Sequence, residues 1–340
     1  MRRPKDRDFV ETKEGFFFCL VGYLHPPDRY TAYLKYTPAD AGHWARGPVF
    51  YHRQLPYYHV RNVLKTLEDL ERHHPEYVWF DPVRSLKFSF VPKEAVAHYY
   101  LPEERLAEIL RNPADPLEGT VKALVELLTT ATEIPREAFG ITGSILLKSH
   151  NPGFSDIDLL VYGRDNALKL KRAVEALKGG PIQELDRERR ERWRAETAER
   201  FGLGPEDVAY LEGRRWNYFL FQGRYASVHP TRLDAEILER YGDHRYQGIG
   251  LATIEATVTD VTESMFLPAT YRVTDVRFIE GGPFRVQELV SFEGLYCQIA
   301  DPGDHILARG QVEEDESGSC RLLLGSAALR DGGFMRKIGP

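Results

Sequence analysis

The sequence predicts an α+β protein in three parts. These are an N-terminal α+β domain over residues 1–112, a middle domain of mixed strands and helices over 113–242, and a C-terminal all-β domain, barrel or sandwich, over 243–340. Three observations lead to this division. Aromatic, strand-like runs with one amphipathic helix fill the first part. Helical and strand periodicities alternate in the second. From about residue 245 short strand-like runs follow one another, punctuated by Gly, Pro and Asp. A length of 340 residues accommodates two or three domains at about 150 residues each.

In the first part, Phe16–Tyr23 and Tyr30–Tyr36 read as strands, joined by the His25-Pro26-Pro27-Asp28 turn into a hairpin. Val60, Val63, Leu64, Leu67 and Leu70 recur at intervals of three and four, the spacing of a helix over about 57–74. Tyr77–Phe80 and Leu86–Val91 are further strands. The middle part opens on a helix whose apolar face carries Leu117, Val121, Leu124, Val125 and Leu128, with Asp115-Pro116 as its start signal. A short apolar segment, Phe139–Ser144, ends in Gly-Ser. A turn-rich loop over 148–155 leads to a strand over 156–162, and Ala167, Leu170, Ala173, Val174 and Leu177 mark the next helix. Residues 184–201 form a charged helix, and Trp216–Phe221 and Tyr225–Val228 a hairpin turning at Gln222-Gly223. In the last part the strand-like runs are Ala252–Val261, Ala269–Val276, Val286–Phe292, Ile306–Val312 and Cys320–Leu324, with the acidic run Glu313–Glu316 read as a solvated turn.

Composition excludes several classes. Hydrophobic residues at 42% and charged residues at 28% exclude wholesale disorder. The longest apolar run, Phe16–Leu24, is interrupted by Gly22 and falls far short of the ~20 residues of a membrane span. The start, Met-Arg-Arg-Pro-Lys-Asp-Arg-Asp, lacks the apolar stretch of a signal peptide, so a cytoplasmic protein with no membrane partner is expected. Cys19, Cys297 and Cys320 are odd in number and far apart, against a disulfide framework or thiolate metal site. The net charge of −6 excludes a basic coat for bulk nucleic-acid binding but leaves room for a local basic site.

The chemistry concentrates in Gly143-Ser144 and Asp156-Ile157-Asp158. Side chains alternate along a strand, so Asp156 and Asp158 point the same way with Cα atoms ~6.6 Å apart. Two carboxylates so close repel unless positive charge lies between them, as a pair of hard divalent cations would supply. Mg²⁺ takes a few carboxylates plus phosphate oxygens rather than a full protein cage. Gly143 would let the backbone approach a phosphate, and Ser144 offers an amide and a hydroxyl.

Gly-Ser, a spacer of eleven residues and Asp-Ile-Asp on a strand together resemble the DNA polymerase β-like nucleotidyltransferase superfamily. The text Gly140–Ser144 through Ser155–Gly163 is similar to an uncharacterised archaeal group of predicted nucleotidyltransferases, and the resemblance covers roughly residues 115–240. It implies a central nucleotidyltransferase-like mixed sheet. Asp156 and Asp158 would be the catalytic and metal-binding residues for two Mg²⁺ ions, and Gly143 and Ser144 would hold a nucleoside triphosphate such as ATP. The implied reaction moves a nucleoside monophosphate to a hydroxyl of RNA, protein or a small molecule, releasing pyrophosphate. The superfamily carries a third carboxylate on a later strand, where this chain has Arg224–Pro230 with no acid and His229 or Ser227 at the corresponding position. Asp234 substitutes, with Glu236 as its neighbour, or His229 ligates or acts as base, or the domain is a degenerate scaffold that binds nucleotide or RNA without turnover. A nucleotide-modifying member of a toxin–antitoxin pair is a further alternative.

Arg214 and Arg215, with Trp216 and Asn217, combine charge, a stacking surface and an amide, and are candidate nucleotide-binding residues; Trp216 as core is the competing reading. Lys148 and His150 sit in the loop after Gly-Ser and read as exposed loop residues. The arginines of 184–201 would suit an RNA-facing stripe, but acids at helical spacing nearly balance them, which favours a salt-bridged solvent face. Cys19 reads as core, and His73-His74 as a helix end.

Overall fold

The computed structural model describes residues 2–55, 59–326, 328–329 and 333–339. Three sheets and seven α-helices make up the described residues, an α+β architecture as expected.

The first sheet is built from β1 (Phe9–Thr12), β2 (Phe17–Leu20), β3 (Arg29–Ala39), β4 (Trp44–Arg46) and β5 (Val49–Arg53). After α1 (Val60–His73) come β6 (Val78–Asp81), β7 (Leu86–Pro92) and β8 (Val96–Tyr100), followed by α2 (Pro102–Arg111). The order is β4-β5-β3-β2-β1-β8, with β7 on the first residues of β3 and β6 on β7, all antiparallel. The anticipated hairpin is β2–β3, with Phe18 opposite Leu34. The helix expected over 57–74 forms over Val60–His73; its first expected turn at residues 57 and 58 lies outside the described residues.

The second group runs α3 (Pro116–Thr132), β9 (Phe139–Ile141), α4 (Gly143–Leu146), β10 (Ile157–Tyr162), α5 (Arg164–Leu177), β11 (Ile182–Gln183), α6 (Arg187–Phe201), α7 (Pro205–Arg214), β12 (Tyr218–Phe221) and β13 (Arg224–Thr231). Its sheet is mixed, in the order β11-β12-β13-β10-β9, with β10 parallel to β13 and antiparallel to β9. Strand alternation sorts its two faces. Ile157, Leu159, Val161, Ala226 and Val228 enter one core with Leu124, Val125, Leu170 and Val174 of the helices. Each such aliphatic side chain taken fully out of water contributes about 1.5–3 kcal/mol. The intervening residues Asp158, Ser227 and His229 therefore share the opposite face, toward the first sheet.

The third sheet comprises β14 (Tyr246–Asp260), β15 (Ala269–Glu280), β16 (Val286–Ser291), β17 (His305–Asp315), β18 (Cys320–Leu324) and β19 (Phe334–Lys337). Its path β14-β15-β16-β18-β17 returns to β14, curling the strands into a barrel-like ring. The acidic run departs from its expected place in a turn: Glu313 lies within β17, buried, with Arg321 Nε 2.8 Å from its carboxylate. Opposite charge on neighbouring strands makes that burial tolerable. The helices α6 and α7 lean on this ring, Trp193 and Phe201 packing with Val208 and Leu211 against its core. No helix among the described residues is long and apolar enough to cross a membrane.

Candidate active site

Thr142 follows β9, and its amide donates to the Asp158 carbonyl at 2.9 Å, so the Gly143-Ser144 turn is tied to β10 beside the carboxylates. Gly143 has φ +68°, a left-handed conformation that other residues adopt at a cost. A Cβ there would also sit 3.0 Å from Asp158 Oδ2. Both facts favour glycine at this position. The loop that follows is held by its own polar side chains: Asn151 Oδ1 accepts from the Gly153 amide at 2.8 Å, and Ser155 Oγ from the Asn151 amide at 2.9 Å.

Asp156 lies just before β10 and is exposed; Asp158, one residue into the strand, is half-buried. Although the residue as a whole is exposed, desolvation of its carboxyl between the cleft walls, then the neighbouring Asp158, pushes Asp156 up to about 6, against the pull of Arg53, Arg189 and Arg224. Cross-strand pairing sets Ser227 opposite Asp158. Ser227 Oγ donates to Asp158 Oδ1 at 2.5 Å and lies 2.8 Å from His229 Nε2. A carboxylate only accepts, so the serine proton points to Asp158 and His229 donates to the serine from Nε2. Burial, then Arg7, holds the His229 imidazole well below its ordinary value, consistent with that neutral form. His229 Nε2 stands 4.0 Å from Asp158 Oδ1, so the histidine acts on the carboxylate through the serine.

Facing this edge across a cleft of about 240 Å³ is the first sheet. It contributes Lys35 and Tyr36 from β3, Trp44 from β4 and Arg53 from β5, while Arg7 comes from the segment before β1. Burial, then Arg53, pushes the Lys35 ammonium down to about 7. The cleft thus sets two carboxylates and a Gly-Ser turn against three cationic side chains. A second cleft of about 730 Å³ opens on the other side of Asp156, and Phe154, Ser155 and Asp156 border both.

Several expected residues lie elsewhere. Asp234 is ion-paired to Lys5 and accepts from the Arg3 amide at 3.1 Å, and Glu236 accepts from the amides of Arg164 and Leu233 at 2.8 Å. These acids clamp the N-terminal segment and a turn, and neither completes the Asp156–Asp158 group. Arg214, expected at a nucleotide, lines neither cleft. It ends α7, whose apolar face is spent on the barrel, so its guanidinium reaches Asp301 at 2.8 and 2.9 Å and the Gln298 carbonyl at 3.0 Å. Arg215 is stacked 4.2 Å from the Trp193 ring centroid and 3.9 Å from that of Tyr218, bracing the wall of the larger cleft from behind. Trp216 is buried in the central core. Lys148 pairs with Glu108 at 2.9 Å, and the His150 side chain, read as exposed, is buried with Nε2 2.7 Å from Asp115 Oδ2.

Conversely, Arg7, Lys35 and Arg53 gave no signal in the sequence. They are distant from the Asp-Ile-Asp segment, and only the sheet brings them to it. One further cluster could hold a metal by proximity: ligand atoms of Asp115, Glu118 and His150 lie within 4.8 Å of one another. Arg105 already pairs with Glu118, and Asp115 Oδ1 caps α3 through the Glu118 amide at 3.0 Å.

No protein-family model and no solved structure matches the chain. It is 30% identical over 344 aligned residues to the uncharacterized protein MJ1086 of Methanocaldococcus jannaschii, the alignment covering 94% of this chain and 95% of that protein.

Proposed function

The chain belongs to the family of the Methanocaldococcus jannaschii protein MJ1086, and we propose that it is a divalent-metal-dependent nucleotidyltransferase. It would move a nucleoside monophosphate from a nucleoside triphosphate to an acceptor hydroxyl. The observation that carries this reading is one cleft in which Asp156 and Asp158, beside Gly143-Ser144, face Arg7, Lys35 and Arg53. The mixed sheet, with β10 antiparallel to the Gly-Ser strand and parallel to β13, supports a nucleotidyltransferase-like core.

The donor set fits a hard cation such as Mg²⁺: two neighbouring carboxylates, with Asp158 close enough to disfavour the charge on Asp156, and oxygen donors alone. Asp156 and Asp158 would hold it. When bound, the metal neutralises charge developing at the transferred phosphoryl group. The chain's own residues supply the rest. Arg7, Lys35 and Arg53 bind the triphosphate by charge-assisted hydrogen bonds. Gly143 leaves room for a phosphate, and the Ser227–His229 pair fixes the rotamer of Asp158. The acceptor oxygen forms a bond to the α-phosphorus while the bond to the α–β bridging oxygen breaks, pyrophosphate departing with that electron pair. Asp156, where the two clefts meet, takes the hydroxyl proton on a carboxylate oxygen not engaged by the metal.

Incubation with each α-labelled nucleoside triphosphate, Mg²⁺ and cellular RNA is expected to give metal-dependent transfer that Asp158→Ala abolishes. Transfer persisting in that variant contradicts the proposal. One observation favours a second reading, nucleotide binding without turnover: Ser227 stands opposite Asp158 on the strand where the resemblance calls for a third carboxylate. Tight binding of ATP with Mg²⁺ by calorimetry, with no pyrophosphate released, supports that alternative.

A further inference from the structure

The larger cleft is not needed to hold a triphosphate, yet it meets the smaller one at Asp156. One wall is a single face of α6: Arg189, Arg192, Trp193 and Glu196 stand at i, i+3, i+4 and i+7. Arg224 and Tyr225 of β13 form another part of the lining. Of the arginines on this face, Arg189 pairs with the exposed Asp186 at the helix cap and Arg192 with the exposed Glu188 one turn earlier. Such pairs are weak and exchange readily for a phosphate. Arg224 donates to the carbonyls of Gly153 and Pro152, which orients it without neutralising its charge.

At the junction of the clefts stands Phe154, 48% exposed, an apolar ring in a polar groove. Trp44 and His43 approach it edge-on at centroid distances of 6.3 and 6.0 Å. Three guanidinium groups spaced along a groove, with Trp193 and Tyr225 in its walls and an exposed ring where it reaches the carboxylates, suit a ligand that alternates anions with flat rings. A small acceptor would leave most of a groove about three times the volume of the first unused. A folded protein acceptor has no repeating anion to match the arginines.

Building on the nucleotidyltransferase reading, we propose that this cleft binds a single-stranded polynucleotide, with its terminal hydroxyl at Asp156 and its last base against Phe154. The strand is therefore the acceptor, and the α6 arginines track its backbone.

The test is fluorescence anisotropy of a labelled 12-nucleotide RNA, and of the DNA of the same sequence, on the full chain without nucleotide or metal. Arg189→Gln/Arg192→Gln is expected to weaken binding at least tenfold and to lower the salt slope by about 1.4, from about 0.7 for each of two phosphate contacts on a single strand. Phe154→Ala is expected to weaken binding less and leave the slope unchanged. Both sites are exposed, and unchanged circular dichroism would show the variants folded. Binding of RNA but not DNA assigns the strand to RNA, and equal binding to polynucleotides generally. Absence of binding to either, unchanged affinity in the double variant, or transfer of labelled nucleotide only onto protein in a cell extract overturns the proposal. The binding readout is independent of turnover, so its failure leaves the transferase assay standing, and an inactive transferase leaves this result standing.

Discussion

Two groups of carboxylates in the same part of the molecule meet opposite fates. Asp115 and Glu118 approach His150 closely enough to suggest a metal site, but each is already engaged. Asp115 caps α3, and Glu118 accepts from the Ala114 amide at 2.8 Å and pairs with the nearly buried Arg105. Asp156 and Asp158 lie at the edge of a cleft, and their cations Arg7, Lys35 and Arg53 stand across it on another sheet. Proximity of carboxylates does not separate the two groups. Where the compensating positive charge sits does: in contact for the structural group, and across a space wide enough for a phosphate for the candidate site.

That contrast can be broken in graded steps. Asp158→Asn is expected to lower metal-dependent transfer by ~10³-fold or more, because charge stabilisation by a bound metal is worth several kcal/mol, while the melting temperature changes little. Glu118→Gln is expected to do the reverse. It leaves Arg105 with only the exposed Glu108 and costs about 3–5 kcal/mol of stability, seen in urea denaturation, with transfer per folded molecule retained. Ser227→Ala removes the donor that orients Asp158 and should weaken metal binding by about 10–100-fold, measured by metal titration of turnover. The smallest effect concerns Lys35. Its ammonium is charged below about 7 and loses its proton above, so triphosphate affinity should fall by up to ~10-fold as pH rises through 7. Lys35→Arg should abolish that slope in a calorimetric pH series.

The residues carrying the site were legible in sequence because they are local. Gly143-Ser144 follows β9 and Asp156-Ile157-Asp158 leads into the neighbouring strand β10, and strand periodicity puts both carboxylates on one side. Ser227 was legible as one of two residues, with His229, at the place of a third carboxylate, and the register that sets it opposite Asp158 came only with the sheet. Arg7, Lys35 and Arg53 were illegible for a different reason: a cationic wall assembled from one sheet against another has no spacing in the chain. That Arg214 lies outside both clefts is not visible in the sequence, because charge beside a tryptophan looks the same whether the helix before it turns toward a cleft or packs on the barrel. The apolar face of α7, Val208 and Leu211, decided that. The arginines of α6 were read as solvated, and their i,i+4 pairs are present, yet Arg189 and Arg192 also line the larger cleft.

The most direct measurement is calorimetric titration of Mg²⁺ with a non-hydrolysable ATP analogue into wild type, Asp158→Asn and Glu118→Gln. Wild type and Glu118→Gln are expected to bind, and Asp158→Asn to lose metal-dependent binding. Binding retained in Asp158→Asn and lost in a folded Glu118→Gln would move the metal centre to Asp115, Glu118 and His150, and contradict the account.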